Sequence, residues 1–230
     1  MSDVERTGGW QRWQNLLFLH WPVTAGALRP LVPRSLELDA HDGVYYVGLV
    51  PFQMLGIRTA WMPKALSFDF LETNVRTYVR HGGRQGVYFF SLEASSKLAV
   101  RVARAQWGLP YYDAQMSFHR EGERVRYQSK RSRAEKGHLD VDYTIGQRLA
   151  DSVPGTLQHF LLERYHLFLE KREQLWSGRV EHTPYPACHA QVHSLDESLI
   201  AAAGITRPQT PPLAHYASAV DVRVCSLRKV

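Results

Sequence analysis

Glu72, Asn74, Arg76 and Tyr78 stand two residues apart in the stretch Leu71–Arg80 (LETNVRTYVR). In an extended chain they share one face, opposite Thr73, Val75, Thr77 and Val79. A carboxylate, an amide, a guanidinium and a phenol on one face can bind an anion, order a carbonyl or move a proton. Their spacing limits how they cooperate. At ~3.3 Å per residue the Cα atoms of Glu72 and Arg76 lie ~13 Å apart with Asn74 between them, so no simple ion pair joins them. If this face is buried, each charge needs its own partner, because an unpaired buried charge costs several kcal/mol.

The following stretch bears on that burial. After a turn over His81–Gln85, with Gly82 and Gly83 inside it, Gly86–Ala94 (GVYFFSLEA) sets Tyr88, Phe90 and Leu92 against Val87 and Phe89. This strand is apolar on both faces, and it offers its hairpin partner two semi-buried faces. Two readings stay open. Either the Thr73, Val75, Thr77 and Val79 face packs on a core and the charged face is wet, or the charged face lines a pocket.

The rest of the chain reads as short strands with a few helices. Asn15–Trp21 is a buried strand ended by Pro22, and Thr24 caps a short helix over Ala25–Leu31. Leu36–Leu38 and Val44–Met54 form a hairpin about His41-Asp42-Gly43, and Arg58–Phe70, with Trp61, Met62 and Pro63, is a loop that could close over something apolar. Ser95 or Ser96 caps a helix to about Gln106, with Leu98, Ala99 and Val102 inward and Lys97, Arg101 and Arg104 outward. A hairpin over Asp113–His119 and Glu123–Lys130 turns at Glu121-Gly122. Leu139–Ile145, Leu175–His182 and Val220–Val224 are further strands, and Thr156 to about Arg164 is helical. Ser194 and Glu197 form a capping box for a helix ending at Ala203. Strands in hairpin order with few helices predict a mainly β, α+β protein, with a closed or conical antiparallel barrel as its natural architecture.

Other chemistry is largely excluded. There is no dinucleotide fingerprint, phosphate-binding glycine loop or nucleophile elbow. Cys188, His189 and His193, with His182 nearby, are the one grouping that looks like metal ligands, but on a strand residues 189 and 193 sit ~13 Å apart. No metal and no cofactor is expected. The net charge of +6 comes from 28 basic residues spread along the chain. The densest cluster, Arg120, Arg124, Arg126, Lys130, Arg131, Arg133 and Lys136, reads as a solvated hairpin face, so no nucleic-acid partner is expected. No apolar run approaches the ~18 to 20 residues of a spanning helix, which predicts a cytoplasmic protein with no membrane partner.

The blocks LHWPV, LRPLVP, DGVYYVGLVPF, NVRTYVR, GVYFFSLEA, GLPYYDAQMS and FLLERYHLF run in order between Trp10 and Val224. Together they resemble the YqjF-like family of bacterial proteins of unknown function. That family is placed in the acetoacetate decarboxylase-like superfamily. The resemblance therefore implies a cone-shaped antiparallel β-barrel with an internal cavity and a few short helices. It implies one domain over residues 10–226 after a tail of residues 1–9. In the decarboxylase two adjacent lysines follow the proline, and one forms a Schiff base with the substrate. The matching positions here are Tyr111 and Tyr112, and a phenol cannot form an imine. None of the six lysines, Lys64, Lys97, Lys130, Lys136, Lys171 and Lys229, stands at the matching point. Glu72 matches a glutamate of the decarboxylase site, which favours the pocket reading.

The resulting expectation is a cavity that binds a small carbonyl or carboxylate compound. Glu72, Tyr111 and Tyr112 are the catalytic candidates; Asn74, Arg76, Tyr78, Arg164 and His182 are the binding candidates. Any chemistry would be acid–base rather than covalent. A non-catalytic binding or regulatory module, and a structural barrel with a filled interior, are the alternatives, and homo-oligomerisation is left open.

Overall fold

β-Branched and aromatic residues alternate well beyond the most apolar cores, and the strands they form are correspondingly long. In the structure, a computed structural model, residues 6–132 and 136–230 are described, except for the side chains at 102, 103 and 105–107. Strands β1 (Thr7–Val23), β2 (Glu37–Leu38), β3 (Tyr45–Thr59), β4 (Phe68–His81) and β5 (Arg84–Ala94) come first. They are followed by β6 (Tyr111–Glu121), β7 (Arg124–Arg131), β8 (His138–Arg148), β9 (His166–Lys171) and β10 (Gln174–Glu181). The last three are β11 (Ala187–Glu197), β12 (Leu213–Cys225) and β13 (Arg228–Lys229). Four helices punctuate them: α1 (Ala25–Leu28), α2 (Lys97–Trp107), α3 (Leu157–Leu162) and α4 (Leu199–Ala202). No described helix is long and apolar enough to cross a membrane.

Among the described residues all thirteen strands join one sheet, and its pairings close on themselves. Neighbours are antiparallel except where β5 runs parallel to β6 and to β9. Two strands fork. β5 pairs with β9 through Val87 and Tyr88 and with β6 through Leu92–Ala94. β12 pairs with β11 near Ala217 and with β10 near Val224. Strands β12, β1, β3, β4 and β5 therefore form a wall common to two rings, one completed by β6, β7, β8 and β11, the other by β9 and β10.

Alternation along the wall feeds two separate cores. Leu16, Phe18, Val50 and Phe52 belong to one, while Leu17, Leu19, Leu49 and Val75 belong to the other with Val125, Tyr127 and Val141. That is why the Gly86–Ala94 stretch is apolar on both sides and why neither face of β4 is wet. Close approach demands one glycine in particular. A Cβ on Gly86 would sit 2.6 Å from the His166 carbonyl oxygen, where β9 crosses β5.

Several local expectations are corrected. The β4–β5 turn has two residues, Gly82 and Gly83, both at positive φ, with His81 already paired to Arg84. Residues 36–38 do not pair with β3. β2 adds instead to β4, with Glu37 opposite Arg80, which brings Asp39 to the Arg80 guanidinium at 2.6 Å. β1 begins at Thr7, so residues 7–9 are strand rather than tail, and Asn15 interrupts it at φ 52°. There the Asn15 Oδ1 accepts from Tyr216 Oη at 2.6 Å and from Arg120 at 3.2 Å. Ser194 caps nothing, because β11 stays paired to β8 through Glu197, and Glu197 alone accepts from the Ile200 N–H at 3.1 Å. Leu98 is exposed, since α2 turns Ala99 and Val100 to the core; Val102 lies outside the described side chains. In the basic cluster Arg120, Arg124, Arg126 and Arg131 all have carboxylate partners, and Arg133 lies outside the described residues.

Candidate functional site

A cavity of about 340 Å³ lies on the β9–β10 side of the common wall. Alternation on β4 sends Glu72, Asn74 and Arg76 into it, and Tyr111 enters from the start of β6. Pairing of Leu92 with Tyr111 across β5 and β6 carries the Tyr111 ring to Glu72, where its hydroxyl donates to Oε2 at 2.8 Å.

Glu72 is buried in largely apolar surroundings, and this desolvation lifts its pKa to about 8. Hydrogen bonds from Tyr111 and Asn74 restrain the rise, and the nearby Glu93 adds to it. At neutral pH the carboxyl is mostly protonated. Burial, and then Glu72 itself, push Tyr111 well above its ordinary value, so the phenol serves as a donor and not as a base. The Asn74 Oδ1 is buried and has no partner among the described residues.

Arg76 is the unusual member. Only 8% of it is exposed, yet its hydrogen bond to the backbone is long, 3.4 Å from Nη2 to the Leu161 carbonyl at the end of α3, and its other polar neighbour is the neutral Tyr78 hydroxyl. Its Nε is buried without an acceptor, and the guanidinium carbon lies 5.5 Å from the centre of the Phe18 ring. No carboxylate pairs with it among the described residues. The contrast with Arg164 is direct. Arg164 also borders the cavity, but it pairs with the buried Asp39 at 2.8 Å and donates to the Phe160 carbonyl at 2.9 Å. Arg164→Ala should therefore cost about 1–3 kcal/mol, because the buried Asp39 loses one charged donor and keeps only Arg80 and Gln85. Urea unfolding measures this, and a loss below ~1 kcal/mol would contradict the clamp.

Three candidates fall outside the cavity lining. Tyr78 is fully buried, donating to the Leu161 carbonyl and accepting from the His20 Nε2–H, both at 2.7 Å. His20 is held neutral by burial and by Arg76. Tyr112 points to the opposite side of β6 from Tyr111, under the Arg131 guanidinium at 3.9 Å, where Arg131 pairs with the buried Glu93. His182 packs at a tilt against the Tyr185 and Tyr165 rings, with its Nδ1 toward the Thr183 carbonyl at 2.7 Å, and burial lowers its pKa. It supports Tyr185, which does line the cavity and which was not among the sequence candidates. The loop after β3 places Trp61 at the cavity rim, 81% exposed. No group of three or more metal-ligating side chains exists among the described residues.

The DUF2071 family model, described as an uncharacterized conserved protein, matches residues 10–221. The chain belongs to this YqjF-like family. Its similarity to the uncharacterized protein YqjF of Bacillus subtilis (strain 168) is 36% identity over 220 residues, 95% of this chain and 91% of that one. Among solved structures, the enduracididine biosynthesis enzyme MppR complexed with pyruvate is similar at a TM-score of 0.67 and 13% identity, over 99% of this chain and 92% of the other. Acetoacetate decarboxylase from Legionella pneumophila gives 0.67 at 15% identity, over 99% and 89%. For this DUF2071 chain such identities establish an acetoacetate decarboxylase-like fold and nothing finer.

Proposed function

We propose that the cavity binds a small carboxylate or carbonyl compound, with Arg76 as its charge partner and Tyr111 and Asn74 as hydrogen-bonding groups. One observation carries the reading: a buried guanidinium that faces a cavity and lacks an anionic partner gains most from a ligand that supplies one. The fold likeness to a protein complexed with pyruvate is compatible with this size of ligand. The two closed sets of strand pairings support a conical barrel over residues 10–226 as the enclosing domain.

Chemistry at the site would be general acid–base. Glu72, with its pKa near 8, can give or take a proton close to neutral pH, and the Tyr111 hydroxyl, which donates to it, holds its carboxyl in place. No lysine borders the cavity among the described residues, so an imine route has no nucleophile there. The test is a thermal-shift screen of keto acids, hydroxy acids and aldehydes, because a ligand bound only by the native state raises its stability. A keto acid or hydroxy acid should raise the melting temperature by several degrees, and aldehydes lacking a carboxylate should do less. Binding of uncharged compounds alone would refute the role of Arg76. Turnover of a bound acid that disappears in Glu72→Gln would separate an enzyme from a binding module.

A further inference from the structure

Glu72, Asn74, Arg76 and Tyr111 gather at the inner end of the cavity, and other polar side chains of its lining, Gln11, Arg58, Thr59 and Arg179 among them, lie toward the rim with an apolar stretch between. Register places Asn74 opposite Val50 and Glu72 opposite Phe52, whereas the lining on β3 continues past them through Met54 and Ile57 to Thr59. From Val50 to Thr59 is roughly 25–30 Å of strand. Along that stretch β1 contributes Trp13 and the β9–β10 side contributes Leu167 and Val180. The rim has cations of its own, but they are engaged: Arg58 lies over the Trp10 ring at 4.1 Å and Arg179 pairs with Glu181 at 3.4 Å. The volume corresponds to about eleven waters at ~30 Å³ each, so a three-carbon keto acid, with six bonded heavy atoms each smaller than a water, would fill only about a third of it.

We infer that the ligand is an elongated amphipathic acid, its carboxylate at Arg76 and an unbranched apolar chain running along the strands toward Trp61. This rests on the reading of Arg76 as the anion partner. It goes beyond that reading by assigning the apolar half of the cavity to a tail and by setting the mouth at the Ile57–Trp61 end. Affinity then depends on chain length, because each methylene is withdrawn from water against Met54, Ile57 and Leu167.

Isothermal titration of the purified chain with acetate, butyrate, hexanoate and octanoate, with octanol and pyruvate as comparisons, tests it. Affinity should rise about fourfold per added methylene up to the length the channel admits. Octanoate should bind at least ~30-fold more tightly than octanol if the carboxylate meets a buried guanidinium. Ile57→Asp, at a partly exposed position near the mouth, should weaken octanoate at least ~10-fold and leave butyrate unchanged. A flat series with pyruvate as the best ligand would overturn the tail while leaving Arg76 as the anion site. Equal binding of octanol and octanoate would overturn the assignment of the head to Arg76, and failure of every compound would overturn both.

Discussion

Arg76→Met should raise the melting temperature and remove acid binding in the same protein. Arg76 is 8% exposed and unpaired among the described residues, so the fold bears its desolvation without a matching attraction. Methionine fills most of the same volume beside Phe18 without the charge. Exchanging buried ionic groups for apolar ones of similar size is commonly stabilising by ~1–4 kcal/mol, which in a chain of this length is a gain of ~2–10 °C. Loss of a buried, hydrogen-bonded charge partner costs the ligand ~2–5 kcal/mol, or roughly 30- to several thousand-fold in affinity. Calorimetric melting and acid titration of one preparation read both quantities. A variant that melts lower than the parent would mean that Arg76 serves the fold, and the ligand reading would lose its main support.

The second large effect is on pH dependence. Glu72 titrates near pH 8 in the folded chain against 4.5 as its ordinary value, so the folded state holds the proton more tightly than the unfolded state. Stability from this group is therefore fully present below about pH 4.5, declines as pH rises and is gone above about pH 8. A shift of this size corresponds to about 5 kcal/mol, or a difference of roughly 10 °C in melting temperature. Glu72→Gln keeps the shape and the acceptor for Tyr111 but cannot ionise. The variant should match the parent near pH 4.5 and exceed it by about that margin at pH 8.5. Taking the difference between the two proteins cancels the opposite contributions of His20, His182 and His215, whose lowered values weaken the fold on the acid side. Parallel melting curves across this range would show that Glu72 does not titrate as described.

Much of this arrangement was legible in the residues and some was not. The period of two on β4 put Glu72, Asn74 and Arg76 on one face, because alternation is a local property of the strand, but it left open whether that face was wet, and only the match of Glu72 to a superfamily glutamate favoured a pocket. Tyr112 and Tyr111 could not be told apart by proximity to Pro110. Only the parallel pairing with β5 decides which of them meets Glu72. Arg164 and Arg76 likewise differ by a partner, Asp39, that is 125 residues from one of them along the chain. The expected hairpin over residues 36–54 failed for the same reason. β2 is placed by a long-range ion pair rather than by its own turn. The Ser194 cap was a short-range signal overruled by strand pairing that the sequence does not display.

The wall common to both cores has a consequence for how this site can change. On most strands a slip of one residue exposes apolar side chains to water on one side only. On β4 it would drive Glu72 and Arg76 into the compartment held by Val75 and Tyr127, and it would bring Thr73 and Val75 into the cavity. The alternation thus acts as a parity check read from both sides. A single-residue insertion or deletion between Glu72 and Tyr78 should therefore cost both cores at once unless a bulge like the one that β5 makes opposite Val75 and Arg76 absorbs it.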